Sequence, residues 1–343
     1  MSIFNYKARE VLRFFILLAV LALFPGRIEG AIDLRFSTIA MDGSPQMEAF
    51  KDAAKEIEAR TEGALRIKMY TGGAMGTGDR LIRSIRLGQL DGGSFSAGEA
   101  AAFTQDLRAP SVSFLFDSYD EVDYVFPKIG GHLRDTLRDE GWIVLSFVET
   151  GFGYLMSVDP IRKASEFKGR NVWAPSDDWV GQTTFRQFGV TPKPLSLANA
   201  STGLMTGMID VVGGPFSAAV GLQWINRIKY VFDQPLLYTF GVFLISESSF
   251  NKIPEEYREL VIEVFEKHQD RYKTTVRESN LEARTAMEVR GIEFIKPSDE
   301  DMAGWPEKID AAKEEIKNYG RFTEGFLETI ENLIAEYREL QNH

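Results

Sequence analysis

Residues Glu166 to Pro215 read EFKGRNVWAPSDDWVGQTTFRQFGVTPKPLSLANASTGLMTGMIDVVGGP. Short extended and helical segments alternate through the stretch. Lys168–Ala174 is extended and stopped by Pro175, Trp179–Phe188 has helical spacing, and Lys193–Leu197 is extended and proline-flanked. Asn199–Thr206 opens on an Asn that can cap a helix and closes at Gly207, and the apolar strand Ile209–Val212 breaks at Gly213-Gly214-Pro215. Alternating strands and helices build a parallel sheet, and such sheets bind ligands at the carboxyl ends of their strands. The fold class is therefore α/β.

The flanks repeat the pattern. Ile32–Ser37 and Leu65–Tyr70 alternate like strands around a helix at 46–60, whose Met47, Phe50, Ala54 and Ile57 share a face. The glycine-rich Thr71–Asp79 lacks the Gly-Lys-Ser/Thr ending of a P-loop and the spacing of a dinucleotide fingerprint, so phosphate binding is not assigned to it. Ser94–Gly98 follows a short strand, and Ser94, Ser96 and Glu99 are placed to face a cleft. A helix over 119–140 precedes a buried-type strand, Trp142–Val148, and then Glu149–Ser157 (ETGFGYLMS). Beyond the central stretch, Tyr230–Phe232 and Leu236–Ser246 read as aromatic strands. The long helix 254–290 has an apolar stripe, Gly291–Ile295 is a last strand, and 299–341 forms two amphipathic helices hinged near Gly320.

The 343-residue chain has no cysteine, which excludes disulfides, thiolate metal sites and a cysteine nucleophile. Residues 1–30 read as a secretory signal peptide: Lys7, Arg9 and Arg13, then the apolar run Phe14–Phe24, then a break at Pro25-Gly26 and cleavage before Ala31. The competing reading is an uncleaved N-terminal anchor, although the run is short of the ~20 residues that span a bilayer. Removing the segment takes away four basic and two acidic residues and moves the net charge from −11 to −13. A chain this acidic is a poor partner for nucleic acid or anionic lipid.

The segments FKGRNVWAP (167–175), GVTPKPL (189–195) and NASTGLMTGMIDVVGGP (199–215) resemble, without a gap, the dicarboxylate-binding type of substrate-binding protein of tripartite ATP-independent periplasmic (TRAP) transporters. GGAMGTGDR, PSVSFLFD and ETGFGYLMS resemble further segments of that family, and the likeness runs over about 32–300. The resemblance implies a two-lobe periplasmic binding-protein fold with a hinge and an inter-lobe ligand cleft. It places one lobe at 32–150 plus 242–282 and the other at 151–241 plus 283–343 with the C-terminal helices. It implies a non-catalytic, periplasmic protein with no cofactor, whose partners are a small-molecule ligand and TRAP membrane subunits. A helical-repeat periplasmic protein is the partner in a rival reading as a ligand sensor.

An enzyme would need nucleophiles, bases or metal ligands. Histidine occurs only at His132, His268 and His343, each isolated. Asp177-Asp178 reads as a polar helix start. The chain departs from the family pattern at its polar anchors. Trp173 stands where the family carries an Arg that grips carboxylates, Asn199 where it carries Glu, Val212-Gly213-Gly214 where it carries Gln-Glu-Asn, and Gly153 where it carries a second Arg. These losses resemble a branch of the family that handles hydrophobic ligands. A buried carboxylate without a paired donor is costly, so the cleft is expected to take a neutral or hydrophobic ligand. Trp173, Phe152, Tyr154 and Phe216 would form its walls and Asn199 a neutral hydrogen bond. Ser96, Trp179 and Phe240 are further candidates, each with burial in a lobe core as the competing reading. Core filling also competes for Trp173, with Arg170 then supplying the cation for an orthodox organic acid; on an extended strand, however, positions 170 and 173 face opposite ways.

Overall fold

The computed structural model describes residues 30–341. The signal-peptide reading and His343 therefore fall outside the described residues, Gly30 apart. Strand β1 (Ile32–Ser37) is followed by α1 (Pro45–Arg60), which Ser44 caps by accepting from the Met47 N–H, with Pro45 opening the first turn. Met47, Phe50, Ala53 and Ile57 line one face of α1 and bury against Leu34 and Phe36 of β1. Then come β2 (Leu65–Tyr70), α2 (Gly78–Arg86), β3 (Gly92–Ser96), the one-turn α3 (Ala97–Ala100), a 3₁₀ segment over Gln105–Ser111, and α4 (Tyr119–Asp139). β1 lies between β2 and β3 and is parallel to both.

Two long antiparallel strands carry the rest of the molecule: β4 (Trp142–Ser157) and β8 (Tyr230–Ser246). Between them in the chain lie β5 (Trp173–Ala174), α5 (Trp179–Gln187), β6 (Lys193–Pro194), α6 (Leu197–Thr206), β7 (Val211–Gly214) and α7 (Phe216–Gly221). β3 pairs with the 241–245 end of β8, while β7 pairs with the 154–157 end of β4. One half of the molecule thus hangs on each end of the β4–β8 ribbon. The sequence reading ended β4 at Val148 and broke β8 before Leu236. Both strands run through because the ladder is irregular there: it slips at Glu149/Gly151 and Gly153/Tyr154, Gly151 takes φ +102°, and Pro235 sits opposite Tyr154 at a slip, where a missing N–H is tolerated.

The sequence reading gave the cap of α6 to Asn199. The structure gives it to Ser196, whose hydroxyl accepts from the Asn199 N–H, while Gly207 ends the helix at φ +77° as expected. The chain closes with α8 (Glu247–Phe250), α9 (Glu255–Val289), β9 (Glu293–Ile295), α10 (Asp299–Met302), α11 (Trp305–Asn318) and α12 (Phe326–Gln341). The 35-residue α9, about 50 Å long, buries Val261, Val264 and Phe265 with α1 and β1 and, further along, Ala283 and Met287 with Phe216 and Trp224. It spans both halves.

The C-terminal part departs from its assignment to the second lobe. Trp305 of α11 does pack there, stacked on Phe232 at 4.8 Å. However, Phe326, Leu327, Ile330 and Ile334 of α12 pack with Leu133 and Leu137 of α4 in the first half. Helical periodicity shows which face of α12 is apolar but not what covers it.

Candidate inter-lobe ligand site

The ladder registers fix where the strand ends point. β1, β2 and β3 are parallel, and Ser96 at the end of β3 is opposite Gly241, which is in turn opposite Val148. β5 and β6 are parallel, a parallel bridge joins Val172 to Val211 of β7, and Gly214 at the end of β7 is opposite Tyr154. Two sets of carboxyl ends therefore converge on the middle of the ribbon from opposite sides, with only Glu149–Gly153 of β4 between their rungs. This is where an α/β sheet places ligands.

On the first edge, the Ser94 hydroxyl donates to Thr38 Oγ1 (2.8 Å) beneath the surface. Ser96 is exposed and caps α3 in a reciprocal box with Glu99: Glu99 N donates to Ser96 Oγ, and Ser96 N donates to Glu99 Oε2 (3.0 Å). The loop after β1 presents Ile39 and Met41, 50% and 67% exposed, beside the glycine loop; a Cβ on Gly72 would come 3.2 Å from the Met41 sulfur.

On the second edge, Trp173 is 6% exposed. Its indole N–H donates to the Leu195 carbonyl (2.9 Å) and its ring meets Trp224 edge-on at 5.7 Å. It is bound into the core of this half together with Phe216. Phe216 stacks on Tyr154 at 4.2 Å, and Tyr154 touches the cores of both halves. Asn199 and its neighbour Leu197 are exposed in the first turn of α6. Phe152 packs among Tyr119 and Tyr238, and Phe240 packs against Phe126; both are buried on the α4 side of the ribbon. The eight residues singled out in the sequence thus fall into four groups. Trp173, Tyr154 and Phe216 share one wall, Phe152 and Phe240 pack on the α4 side, Trp179 packs on Tyr319 and Phe322 between α11 and α12, and Ser96 and Asn199 are exposed on the two edges.

Gly153 and Gly214 pack so closely that a Cβ on Gly153 would lie 3.2 Å from Leu237 Cδ2 and 3.4 Å from Gly214 Cα. A Cβ at 153 would therefore require Leu237 to yield by a few tenths of an ångström. Arg170 turns away: its guanidinium donates to Asp159 (2.7 Å) and to the Pro160 carbonyl.

The cation that does join the edges is Arg108, which was not singled out in the sequence. It is buried, and its Nη2 donates to the Gly98 carbonyl (3.1 Å) after β3 and to Asp177 (2.9 Å) after β5, while Nη1 lies 3.5 Å from Asp178. Its Nε has no hydrogen-bond partner among the described residues. Asp178 also caps α5, accepting from the Gly181 N–H, in accord with the reading of this pair as a helix start. Burial pushes the Asp178 carboxyl up, against the pull of the Gly181 N–H and of Arg108. A second bridge runs beside it: the Trp179 indole N–H donates to Gln105 Oε1 (2.8 Å). Sequence offered no signal for either bridge, since the partners lie about seventy residues apart.

Behind the edges, a polar cluster holds the ribbon at its bend. Thr239 Oγ1 donates to the Gly151 carbonyl, and Asn280 of α9 donates to the Thr150 carbonyl and accepts from the Ser217 N–H. His132 meets Asp106 and His268 meets Glu56, both structural pairs, and no group of three potential metal ligands occurs among the described residues. No described helix is long and apolar enough to cross a membrane.

Residues 36–318 match the family model of the DctP-type bacterial extracellular solute-binding proteins, family 7. The 2,3-diketo-L-gulonate-binding periplasmic protein YiaO of Escherichia coli is 23% identical over 295 residues, covering 85% of this chain and 89% of that one. The sialic acid-binding periplasmic protein SiaP of Vibrio cholerae is 20% identical, covering 79% and 84%. Among solved structures, the galactonate complex of a sugar acid binding protein from Advenella mimigardefordensis superposes with a TM-score of 0.80 at 21% identity, over 89% of this chain and 98% of that one. A TRAP periplasmic solute-binding protein from Desulfovibrio salexigens with bound orotic acid gives 0.78 at 16% identity, over 89% and 99%. These neighbours share the two-lobe fold. With the family model matched over most of its length, the chain belongs to bacterial extracellular solute-binding protein family 7, a family of transport binding proteins and not of enzymes.

Proposed function

We propose that the protein is exported to the periplasm, captures a small neutral or hydrophobic molecule between the two strand-end edges, and presents the closed form to TRAP membrane subunits. The lobes would be 32–150 with 242–282, and 151–241 with 283–325, with α12 packed back on the first. The observation that carries the ligand class is the pairing of Arg108. Arg108, which bridges the edges, already faces two carboxylates, and the anchor frame positions hold a buried Trp173 and Gly153, neither of them a cation. A carboxylate ligand would have to displace those aspartates or go unpaired. Ile39, Met41 and Leu197 expose apolar surface at the strand ends, where a neutral ligand would cover it.

One observation favours a second reading. Arg108 Nε is buried with an unspent hydrogen bond, and relatives of similar fold carry galactonate and orotic acid. An organic acid held by Arg108 would use it, so the acid reading rests on Arg108 and not on Arg170.

Native mass spectrometry of protein purified from its own periplasm, followed by calorimetric titration, tests both readings. A co-purifying neutral or lipid-like species, with no heat from galactonate or orotate, supports the first. An acid that binds the parent protein and is lost in Arg108→Gln establishes the second.

A further inference from the structure

A cavity of about 370 Å³ lies away from the strand-end edges. It opens between α4 and α9, over the free side of β4 before its bend. Its size falls at the small end of ligand pockets.

Two of its lining side chains are unusual. Gln269 is 5% exposed and Ser146 1%. Neither amide atom of Gln269, nor the Ser146 hydroxyl, has a hydrogen-bond partner among the described residues. A buried amide left without partners costs on the order of 1–3 kcal/mol, so such groups ordinarily mark something that binds them.

The charged groups around the cavity are already matched. Arg134 donates to the Val144 carbonyl (3.0 Å) and pairs with Glu266. Glu149 accepts from Arg277 (2.7 Å) and from the Tyr238 hydroxyl (3.1 Å). Lys273 pairs with Asp123, and Asp270 stands exposed at the rim. What is left unspent inside is neutral: one donor and acceptor pair from the amide, and one hydroxyl.

The remaining walls are aromatic and small. Phe126 meets Phe147 and Phe240 edge to face at 5.2 and 5.1 Å, and Phe147 and Phe240 are tilted at 6.3 Å. On α4 the wall is made by Pro127, Gly130 and Gly131. A glycine inside a helix costs about 1 kcal/mol relative to alanine, yet two stand side by side here. Gly130 is buried and Gly131 exposed: a Cβ on Gly130 would lie 3.7 Å from Phe147 Cε2, an ordinary contact, and one on Gly131 would point into open space at the rim.

We propose that this cavity is a second binding site, for a small neutral molecule that carries an amide or hydroxyl group on an aromatic-sized apolar body. Gln269 and Ser146 take its polar group, and the phenylalanines and the Gly130–Gly131 shelf take its body. The site is independent of whatever binds between the strand-end edges.

Benzamide is a suitable probe, with benzoate as its charged counterpart. Titration of the full chain by calorimetry, and crystals soaked in benzamide, should show saturable binding with the amide on Gln269 and no saturable binding of benzoate. Gln269→Leu should weaken benzamide roughly tenfold, the cost of unmade amide bonds. Gly131→Leu, at the exposed rim, has room and raises helix propensity; it should fold normally and weaken binding by covering the mouth of the shelf. The proposal is overturned if benzamide shows no saturable binding, if either variant keeps the parent affinity, or if benzoate binds as well. It is equally overturned by crystals in which ordered waters alone satisfy Gln269 and benzamide does not displace them.

Discussion

Arg108 and Asp178 stand 70 residues apart in sequence and meet between the two strand-end edges. Removing one member of such a pair is not symmetric with removing the other. Arg108→Gln leaves two carboxylates without their cation, one of them largely buried, and is expected to lower stability by about 1–3 kcal/mol. Asp178→Asn keeps the α5 cap, since Asn caps as well as Asp, and removes a charge that burial already disfavours. It should change stability by less than about 1 kcal/mol. Urea denaturation of both variants at neutral pH decides the matter, and equal losses would mean that the pair acts as a simple surface bridge. Gly153 gives a second test at this scale. Gly153→Arg puts a Cβ 3.2 Å from Leu237 Cδ2 and 3.4 Å from Gly214 Cα, so Leu237 must yield. It is expected to cost about 1–3 kcal/mol of stability by overpacking without conferring affinity for galactonate, as calorimetry would show. Sequence singled out Trp173, but could not show that this ring is sealed under Trp224 and the Leu195 carbonyl. Those partners are contributed by segments that no local pattern connects to residue 173.

The helices were the most legible elements, because apolar spacing and caps are local. The ends read for the helix at 119–140 and the long helix at 254–290 lie within a residue of those observed. Strands were less so: β4 and β8 pass through slips and a glycine bend that look like strand ends in sequence. Two elements far apart in the chain, α1 and α9, are joined by Glu56, which accepts from Lys267 and meets His268 at 2.9 Å. The hydrogen bond from Lys267, and after it that from His268, holds the Glu56 carboxyl down to about 2 from an ordinary 4.5. A value lower in the folded state than in the unfolded one adds stability above pH 4.5, and that increment is lost progressively as the pH falls toward 2. Glu56→Gln should therefore be less stable than the parent at neutral pH and should lose less on acidification. Denaturation midpoints at neutral pH and on either side of pH 3 measure this. A variant with the same pH slope as the parent would remove Glu56 from the acid response.

At the scale of the whole molecule, the two halves are joined by three kinds of link that respond differently to opening. The β4–β8 ribbon bends at Gly151, and α9 runs behind it with Asn280 tying the Thr150 carbonyl to the Ser217 N–H. These links persist through a hinge motion. α11 and α12 pack on opposite halves and meet at a turn containing Gly320 and Gly325, both at positive φ, which gives the strap a joint of its own. The Arg108–Asp177/Asp178 and Trp179–Gln105 bridges cross directly from one edge to the other and must break when the edges part. They act as a ligand-independent bias toward the closed form, and removing them shifts the population toward the open one. The double variant Arg108→Gln, Trp179→Phe is expected to show a larger radius of gyration than the parent in X-ray scattering without ligand. The two should converge once a saturating ligand supplies its own contacts to both edges. Apparent affinity for the ligand should fall by the factor by which the closed fraction falls. If the unliganded radii are identical, the bridges do not govern closure, and the bias resides in the Gly151 bend and its Asn280 tie.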